Sequence, residues 1–268
     1  VIANARMYSV NAATAQAWRA LLAWVLDRAK VAAEVIDYPA PAPLAALWVR
    51  DDLAGVFMCG YPYARANPRP TLLAAPMPAL ERCAGAPVYW TDIAVRADSG
   101  LHALPDVFGR RFGFTTPESQ SGYQAVRHLF APYARERGRP LFAASVGPLV
   151  TPRRVVHAVL AGECDAGAVD AYALALLRTT EPGLAKRLRV IASTEPTAIP
   201  PLVASPGIGS AAVERLRAAF GAVATAEALA PVRAQLVLAG FATPKAADYA
   251  ELLARARDAD ALGYARLD

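Results

Sequence analysis

Lysine is nearly missing from this chain: only Lys30, Lys186 and Lys245 stand among 28 basic residues, and the remainder are arginines. Few side chains are therefore available for the amine chemistry of a Schiff-base nucleophile, and all three lysines fall in expected helices or loops. Histidine is equally scarce. His102, His128 and His157 lie far apart and lack metal-motif spacing. Cys59, Cys83 and Cys164 show no C-x-x-C pair, which excludes a zinc site of the usual design. A Cys59–Cys83 bridge in an oxidising compartment stands against three small buried thiols, and the thiols are the better reading. There is no G-x-S-x-G elbow and no phosphate-binding Walker loop. With these signatures absent, no catalytic constellation, metal or cofactor is expected.

Long apolar runs are also lacking. The richest candidate, residues 12–26, is interrupted by Arg19 and followed by Asp27, Arg28 and Lys30, so it reads as an amphipathic helix rather than a membrane span. Charged residues make up only 19% of the chain against 55% hydrophobic, the balance of a packed protein rather than a disordered one. The net charge of +5 is spread along the chain without a basic run or basic–aromatic interleaving, so nucleic acid is not an expected partner. A mildly basic surface suits an anionic ligand, and solvated charge explains it as well. No signal peptide is visible. A start at Val1 fits a chain whose targeting segment has been removed.

What is present is an alternation of strands and helices. Residues 1–8 read as a strand, 14–29 as a helix with Trp18, Leu21, Leu22, Val25 and Leu26 on one stripe, and 31–38 as a second strand. A short apolar run over 53–58 ends at Cys59-Gly60-Tyr61. Further strands are expected over 87–96, 111–114, 141–145, 166–170 and 188–192. Helices are expected over 124–130, 151–160, 171–177, 210–224 and 232–240, with a helical, alanine-rich stretch after Asp248. The order argues for an α/β fold with parallel pairing. Extended crossings near 87–96 and 188–204 suggest a discontinuous first lobe, 1–90 plus 193–268, and a second lobe, 91–192. Two such crossings make a hinge, and ligands favour the cleft between lobes.

The segment Thr115-Thr116-Pro117-Glu118-Ser119-Gln120-Ser121-Gly122-Tyr123 carries the most chemistry. It lies between an expected strand and an expected helix. The first N–H groups of a helix lack intrahelical acceptors, and the helix dipole adds partial positive charge there. Ser119 and Ser121 add hydroxyl donors, and Gly122 lets an oxyanion approach the backbone. The same residue types are ordinary helix caps, so the local sequence alone leaves capping and anion binding both open. Asp170, ending the 166–170 strand, likewise reads as a helix N-cap or as a carboxylate for a ligand cation. Tyr8, Tyr61, Tyr63, Tyr89, Trp90, Tyr123 and Tyr172 gather at expected strand ends and loops. Together they suggest a cage for an organic or cationic group, although each alone reads as packing.

The order and spacing of several segments resemble the phosphate/phosphonate-binding component of bacterial ABC transporters, a family of type II periplasmic binding proteins. Thr116 to Tyr123 resembles that family's D-P-x-S-x-S-G-aromatic motif. Ala161 to Asp170 resembles its G-x-x-D-hydrophobic-x-x-hydrophobic-D stretch. Residues 89–100 and 189–201 resemble its outgoing and return crossovers. The resemblance implies a two-lobed type II fold with two hinge strands. It implies a solute-binding protein, periplasmic and monomeric, that closes on a small anion and delivers it to a membrane permease. It would place Thr116, Ser119, Gln120, Ser121, Gly122 and Tyr123 on the oxyanion, Tyr8 and Tyr61 across the cleft, and Asp170 at a ligand ammonium. The chain departs from the family pattern at Thr116, where Asp is common. It departs again at Val150-Thr151-Pro152, which replaces a G-S-H segment, so Thr151 keeps one hydroxyl but the histidine donor is lost. Two other functions remain open at this stage. One is an enzyme of cofactor or pyrimidine biosynthesis on the same bilobal fold, with an Asp170–Tyr pair doing acid–base work. The other is a sensor domain for an organic or cationic ligand held by the tyrosines.

Overall fold

A computed structural model describes residues 1–268. The chain runs β1 (Ile2–Asn4), α1 (Ala12–Ala29), β2 (Glu34–Val35), α2 (Leu44–Trp48), β3 (Leu53–Phe57), α3 (Gly60–Arg65), β4 (Thr71–Pro78) and β5 (Val88–Tyr89). It continues with β6 (Thr91–Arg96), β7 (Arg111–Gly113), α4 (Ala125–Arg137), β8 (Ala144–Val146), α5 (Pro152–Leu160), β9 (Ala166–Asp170), α6 (Ala171–Thr180), α7 (Pro182–Ala185), β10 (Leu188–Ser193) and β11 (Thr197–Ala198). The last elements are β12 (Leu202–Ala204), α8 (Ser210–Gly221), α9 (Ala230–Gln235), β13 (Leu238–Ala242) and α10 (Ala250–Ala261). Two compact units result, Val1–Val88 with Ala198–Tyr249, and Tyr89–Thr197 with Ala250–Asp268.

The first unit is built on a six-stranded sheet in the order β13-β4-β12-β3-β1-β2. β1 runs parallel to β2 and β3, while β12 is antiparallel to β3 and β4. Helix α1 starts at a reciprocal capping box in which Asn11 accepts from Thr14 N and Thr14 Oγ1 accepts from Asn11 N. Its apolar stripe buries Trp18 edge-on against Phe57, with ring centres 5.1 Å apart. The first strand is shorter than the sequence suggests. The buried Asn4 side chain accepts from Arg6 N and donates to Ile36 O, which ends β1 and turns Arg6–Tyr8 into a 3-10 turn. The expected 31–38 strand contracts to Glu34–Val35 at the sheet edge.

Strand β4 carries Pro76 and Pro78 inside a sheet. Its pairing with β12 covers only Thr71, Leu72 and Ala74, so both prolines lie beyond that neighbour, where their missing N–H groups cost nothing. The helix expected over 232–240 instead ends at Gln235. Val237 adopts φ +47°, and β13 begins at Leu238. Gly240 is required in that strand because a Cβ there would lie 2.8 Å from Ala224 Cβ.

The second unit is a five-stranded sheet ordered β10-β6-β9-β7-β8. β7 is parallel to β8 and β9, and β6 runs antiparallel to β9 and β10. Ile93, Val95 and Phe112 of the sheet pack with Phe130 of α4 and with Phe142, and the core they form also takes in Ala259, Tyr264 and Leu267. Residues 250–268, which the sequence reading gives to the first lobe, therefore belong to the second unit. Arg127 on α4 explains why. It is 3% exposed and donates to Gln124 Oε1 (2.9 Å), Ala256 O (2.9 Å), Tyr264 O (3.1 Å) and the Asp260 carboxylate. A guanidinium buried to this degree must spend its donors, and the C-terminal segment supplies most of the acceptors. The chain thus passes between units three times, at 88/89, 197/198 and 249/250, one more than the two crossings expected. A two-stranded pairing of β5 with β11 accompanies the first two passages. Cys59, Cys83 and Cys164 are buried free thiols, so no Cys59–Cys83 bridge is formed.

Candidate functional site

The loop after β7 enters α4 through a π-turn over Gln120–Gln124 rather than a regular first turn. Ser119 is its N-cap. Ser119 N donates to Thr116 O at 3.0 Å, and Ser119 Oγ accepts from Gly122 N at 2.9 Å. The carbonyl of Ser119 is taken by Gln124 N at 3.0 Å, one residue later than in an α-helix, and Ala125 N goes to Gln120 O. The wide turn delays the hydrogen-bond ladder by one residue, and the first N–H groups of a helix have no acceptor in the preceding turn. Gln124 Nε2 closes the loop by donating to Pro117 O at 2.7 Å, and Arg127 locks the same glutamine through its Oε1.

Gly122 is a steric requirement. A Cβ on it would stand 1.9 Å from Thr115 Oγ1, and Thr115 is itself 4% exposed. The close approach seats the turn on the end of β7. The Thr91 hydroxyl, opposite Asp170 on the neighbouring strand, donates to Ser121 O at 2.8 Å. Ser121 Oγ in turn donates to Asp170 Oδ2 at 3.2 Å. Asp170 Oδ1 accepts from Tyr172 N (2.9 Å) and Ala173 N (3.0 Å), so it caps α6 while its other oxygen meets the turn. Asp170 therefore caps α6 through Oδ1 and takes the Ser121 hydroxyl on Oδ2.

Thr116 sits half-buried at the start of the turn, and Gln120 is buried within it. Thr151 caps α5 by accepting from Arg154 N at 3.1 Å. Its loop lies beside the π-turn, since Leu149 N and Val150 N donate to Phe114 O and Thr115 O. Val150 adopts φ +67° to make that turn. The second unit therefore brings Thr116, Ser119, Gln120, Ser121, Gly122, Thr151 and Asp170 to the same ends of β7, β8 and β9.

Tyr123 is placed differently from expectation. Its ring packs edge-on to Phe114 at 5.1 Å, and its hydroxyl accepts from Leu267 N at 3.2 Å. The side chain is committed to the core, and only the Tyr123 amide is left for the site. Tyr8, in the first unit, is 1% exposed and stands edge-on to Phe57 at 5.1 Å. Tyr61, also in the first unit, lies half-exposed on α3 with the Arg65 guanidinium 5.5 Å over its ring. Of the expected aromatic cage, Tyr8, Tyr63, Tyr89 and Tyr172 are all no more than 2% exposed, so these rings are packing elements. Thr91, Gln124 and Arg127 join the site without having been expected from the sequence. The strand alternation over 91–96 was the available signal for Thr91. Nothing local marks Arg127, whose partners lie about 130 residues away.

Chemically, the turn offers neutral donors at a helix start, its first amides and the half-buried Thr116 hydroxyl, while the Ser121 hydroxyl gives its proton to Asp170. Hydrogen bonds from such donors to an ionised oxygen are short and strong. Burial pushes the Cys164 thiol up to about 12, which removes it from any role as a thiolate near neutral pH.

The fold is shared with solved binding proteins. The binding-protein component of an ABC phosphonate transporter from Pseudomonas aeruginosa superposes with a TM-score of 0.77 at 17% identity, covering 98% of this chain and 87% of that one. A Prochlorococcus marinus protein solved in complex with methylphosphonate gives 0.74 at 15% identity, over 97% of both chains. A Xanthomonas citri protein bound to a chloride ion gives 0.68 at 16% identity, over 98% of both. Among curated proteins none matches significantly. The architecture is accordingly the two-lobed α/β fold of the type II periplasmic binding proteins. The family model described as ABC transporter, phosphonate, periplasmic substrate-binding protein matches residues 9–249, and the chain belongs to that family of solute-binding proteins.

Proposed function

We propose that this protein binds a small phosphorus oxyanion at the Ser119–Tyr123 turn, closes its two lobes on it and presents it to an ABC-transporter permease. The single observation that carries this reading is the π-turn, which sets the first amides of the helix beside the Ser121 side chain. Ser119, Thr116, Gln120, Gly122 and Thr151 shape or complete the donor set. Tyr61 is the first-unit candidate with a partly exposed ring to offer, and the buried Tyr8 is the other first-unit candidate. It acts without catalysis, as a monomer in the periplasm.

Asp170 narrows the ligand. Its Oδ2 lies in hydrogen-bond contact with the Ser121 hydroxyl, so a fully deprotonated dianion on the turn meets a like charge. A ligand that offers a proton donor on that side satisfies the carboxylate instead. An aminophosphonate ammonium or a singly protonated phosphonate has this chemistry, and a bare sulfate does not.

The test is a thermal-shift and calorimetric screen of oxyanions and aminophosphonates against wild type and Ser121→Ala. A ligand at a hundred times its Kd stabilises the native state by about 2.7 kcal/mol. The expected result is a shift with one phosphorus compound that Ser121→Ala abolishes. A panel without a shift, or an equal shift in the variant, would refute the assignment.

A further inference from the structure

The second unit holds another concavity, at the opposite ends of the strands that carry the π-turn. It measures about 420 Å³ and is lined by Arg96, Arg110, Arg111, Asp165 and the Gly100 turn. Pockets of this size suit small organic ligands. Arg96 closes β6, Arg111 opens β7, and Asp165 stands immediately before β9.

The guanidiniums are held in a particular way. Arg96 gives Nε and Nη2 to the two oxygens of Asp98 at 2.9 and 2.8 Å. Arg111 gives Nε and Nη2 to the two oxygens of Asp165 at 3.1 and 2.9 Å. Each aspartate therefore occupies one edge of its arginine, fixes the plane and leaves the Nη1 edge unspent. Arg110 makes no side-chain hydrogen bond or ion pair, and its whole fork is available. Plain solvated charge would not gather three guanidiniums around one hollow with two of them clamped. A clamped fork loses less freedom on binding, and planar forks match phosphoryl oxygens in pairs.

From this the geometry points to a second anion site, distinct from the π-turn, that takes a small phosphoryl polyanion spanning Arg96, Arg110 and Arg111. Two or more charges are required because Asp98 and Asp165 already offset two of the guanidiniums, and a ligand must reach all three Nη1 edges to gain from them. The site does not depend on the ligand reading of the turn, and its test separates the two.

The full chain, isotopically labelled, is titrated with inorganic pyrophosphate while its amide resonances are followed. The expected result is saturable shifts at residues 96–101, 110–112 and 162–165 in wild type and equally in Ser121→Ala. Arg110→Gln should weaken that binding about tenfold, the loss of one charge-assisted contact, and Arg96→Gln/Arg110→Gln should abolish it. Arg110 is exposed and unpaired, so its variant tests the site without a folding penalty. Sulfate at matched ionic strength should bind at least about tenfold more weakly. Shifts confined to 115–123, no saturable shift at millimolar pyrophosphate, unchanged affinity in the arginine variants, or equal binding of sulfate would each overturn the proposal.

Discussion

Replacing Gly122 by alanine tests how the π-turn is seated. The added Cβ would lie 1.9 Å from Thr115 Oγ1, 2.8 Å from its Cβ and 2.9 Å from its Cγ2, all inside normal contact. Neither partner can withdraw easily. Thr115 is 4% exposed and its carbonyl accepts from Val150 N, while Gly122 N is held by Ser119 Oγ. Forced overpacking of this kind costs about 1–3 kcal/mol. At about 2–4 °C per kcal/mol for a chain near this size, the Tm should fall by roughly 2–12 °C. The displaced turn should also misplace the Ser121 and Tyr123 amides, so ligand affinity should fall more than stability alone requires. Calorimetric melting with and without ligand measures both effects. Thr115→Ala removes the two side-chain atoms beyond Cβ, so the double variant should recover part of the loss and reveal coupling of about 0.5–3 kcal/mol. A Gly122→Ala protein that melts within a degree of wild type and binds ligand unchanged would refute the steric argument.

Asp170→Asn keeps a good N-cap but removes the charge, so it should tighten binding of an unprotonated oxyanion and weaken that of an aminophosphonate, as read by isothermal titration. Arg127→Met should destabilise the protein by about 3 kcal/mol, since buried acceptors lose a charged donor, and hydrogen exchange should rise chiefly over 250–268. The Cys164 thiol, 1% exposed and raised to about 12, keeps its proton in the fold while the unfolded thiol ionises nearer 9. Its contribution is therefore complete below pH 9 and lost as pH rises towards 12. The fall in the denaturation midpoint over that window should be smaller in Cys164→Ala, and the native thiol should resist maleimide at pH 8.

The strand–turn–helix over residues 111–130 was legible because its apolar run, serine cap and glycine obey local rules. The same is true of the 166–170 strand and the Asp170 cap, whose partners lie within three residues. The π-turn was not legible, because a one-residue delay in hydrogen bonding depends on Gly122 fitting against Thr115 and on Gln124 reaching back to Pro117. Strand β4 was not expected: it carries Pro76 and Pro78, and only its pairing shows them beyond the β12 neighbour. The tyrosines misled for a related reason. An aromatic at a strand end is equally suited to a cage and to the core, and only packing partners such as Phe57, Phe114 and Tyr249 decide. Residues 250–268 went to the wrong unit because Arg127 recruits them across a long sequence separation that no local pattern encodes.

The three passages between units also set an order of events during synthesis. Domains commonly fold from the N-terminus as the chain emerges. Here the first unit lacks β12 and β13 until residues 198–249 have been made, and the second lacks Ala259, Tyr264 and Leu267 of its core until the final stretch follows. The strands of the second sheet are all made by Ser193, but the core that covers them waits for residues 259–267. Both units therefore stay unfinished until late residues are made, β13 for the first and the 250–268 segment for the second.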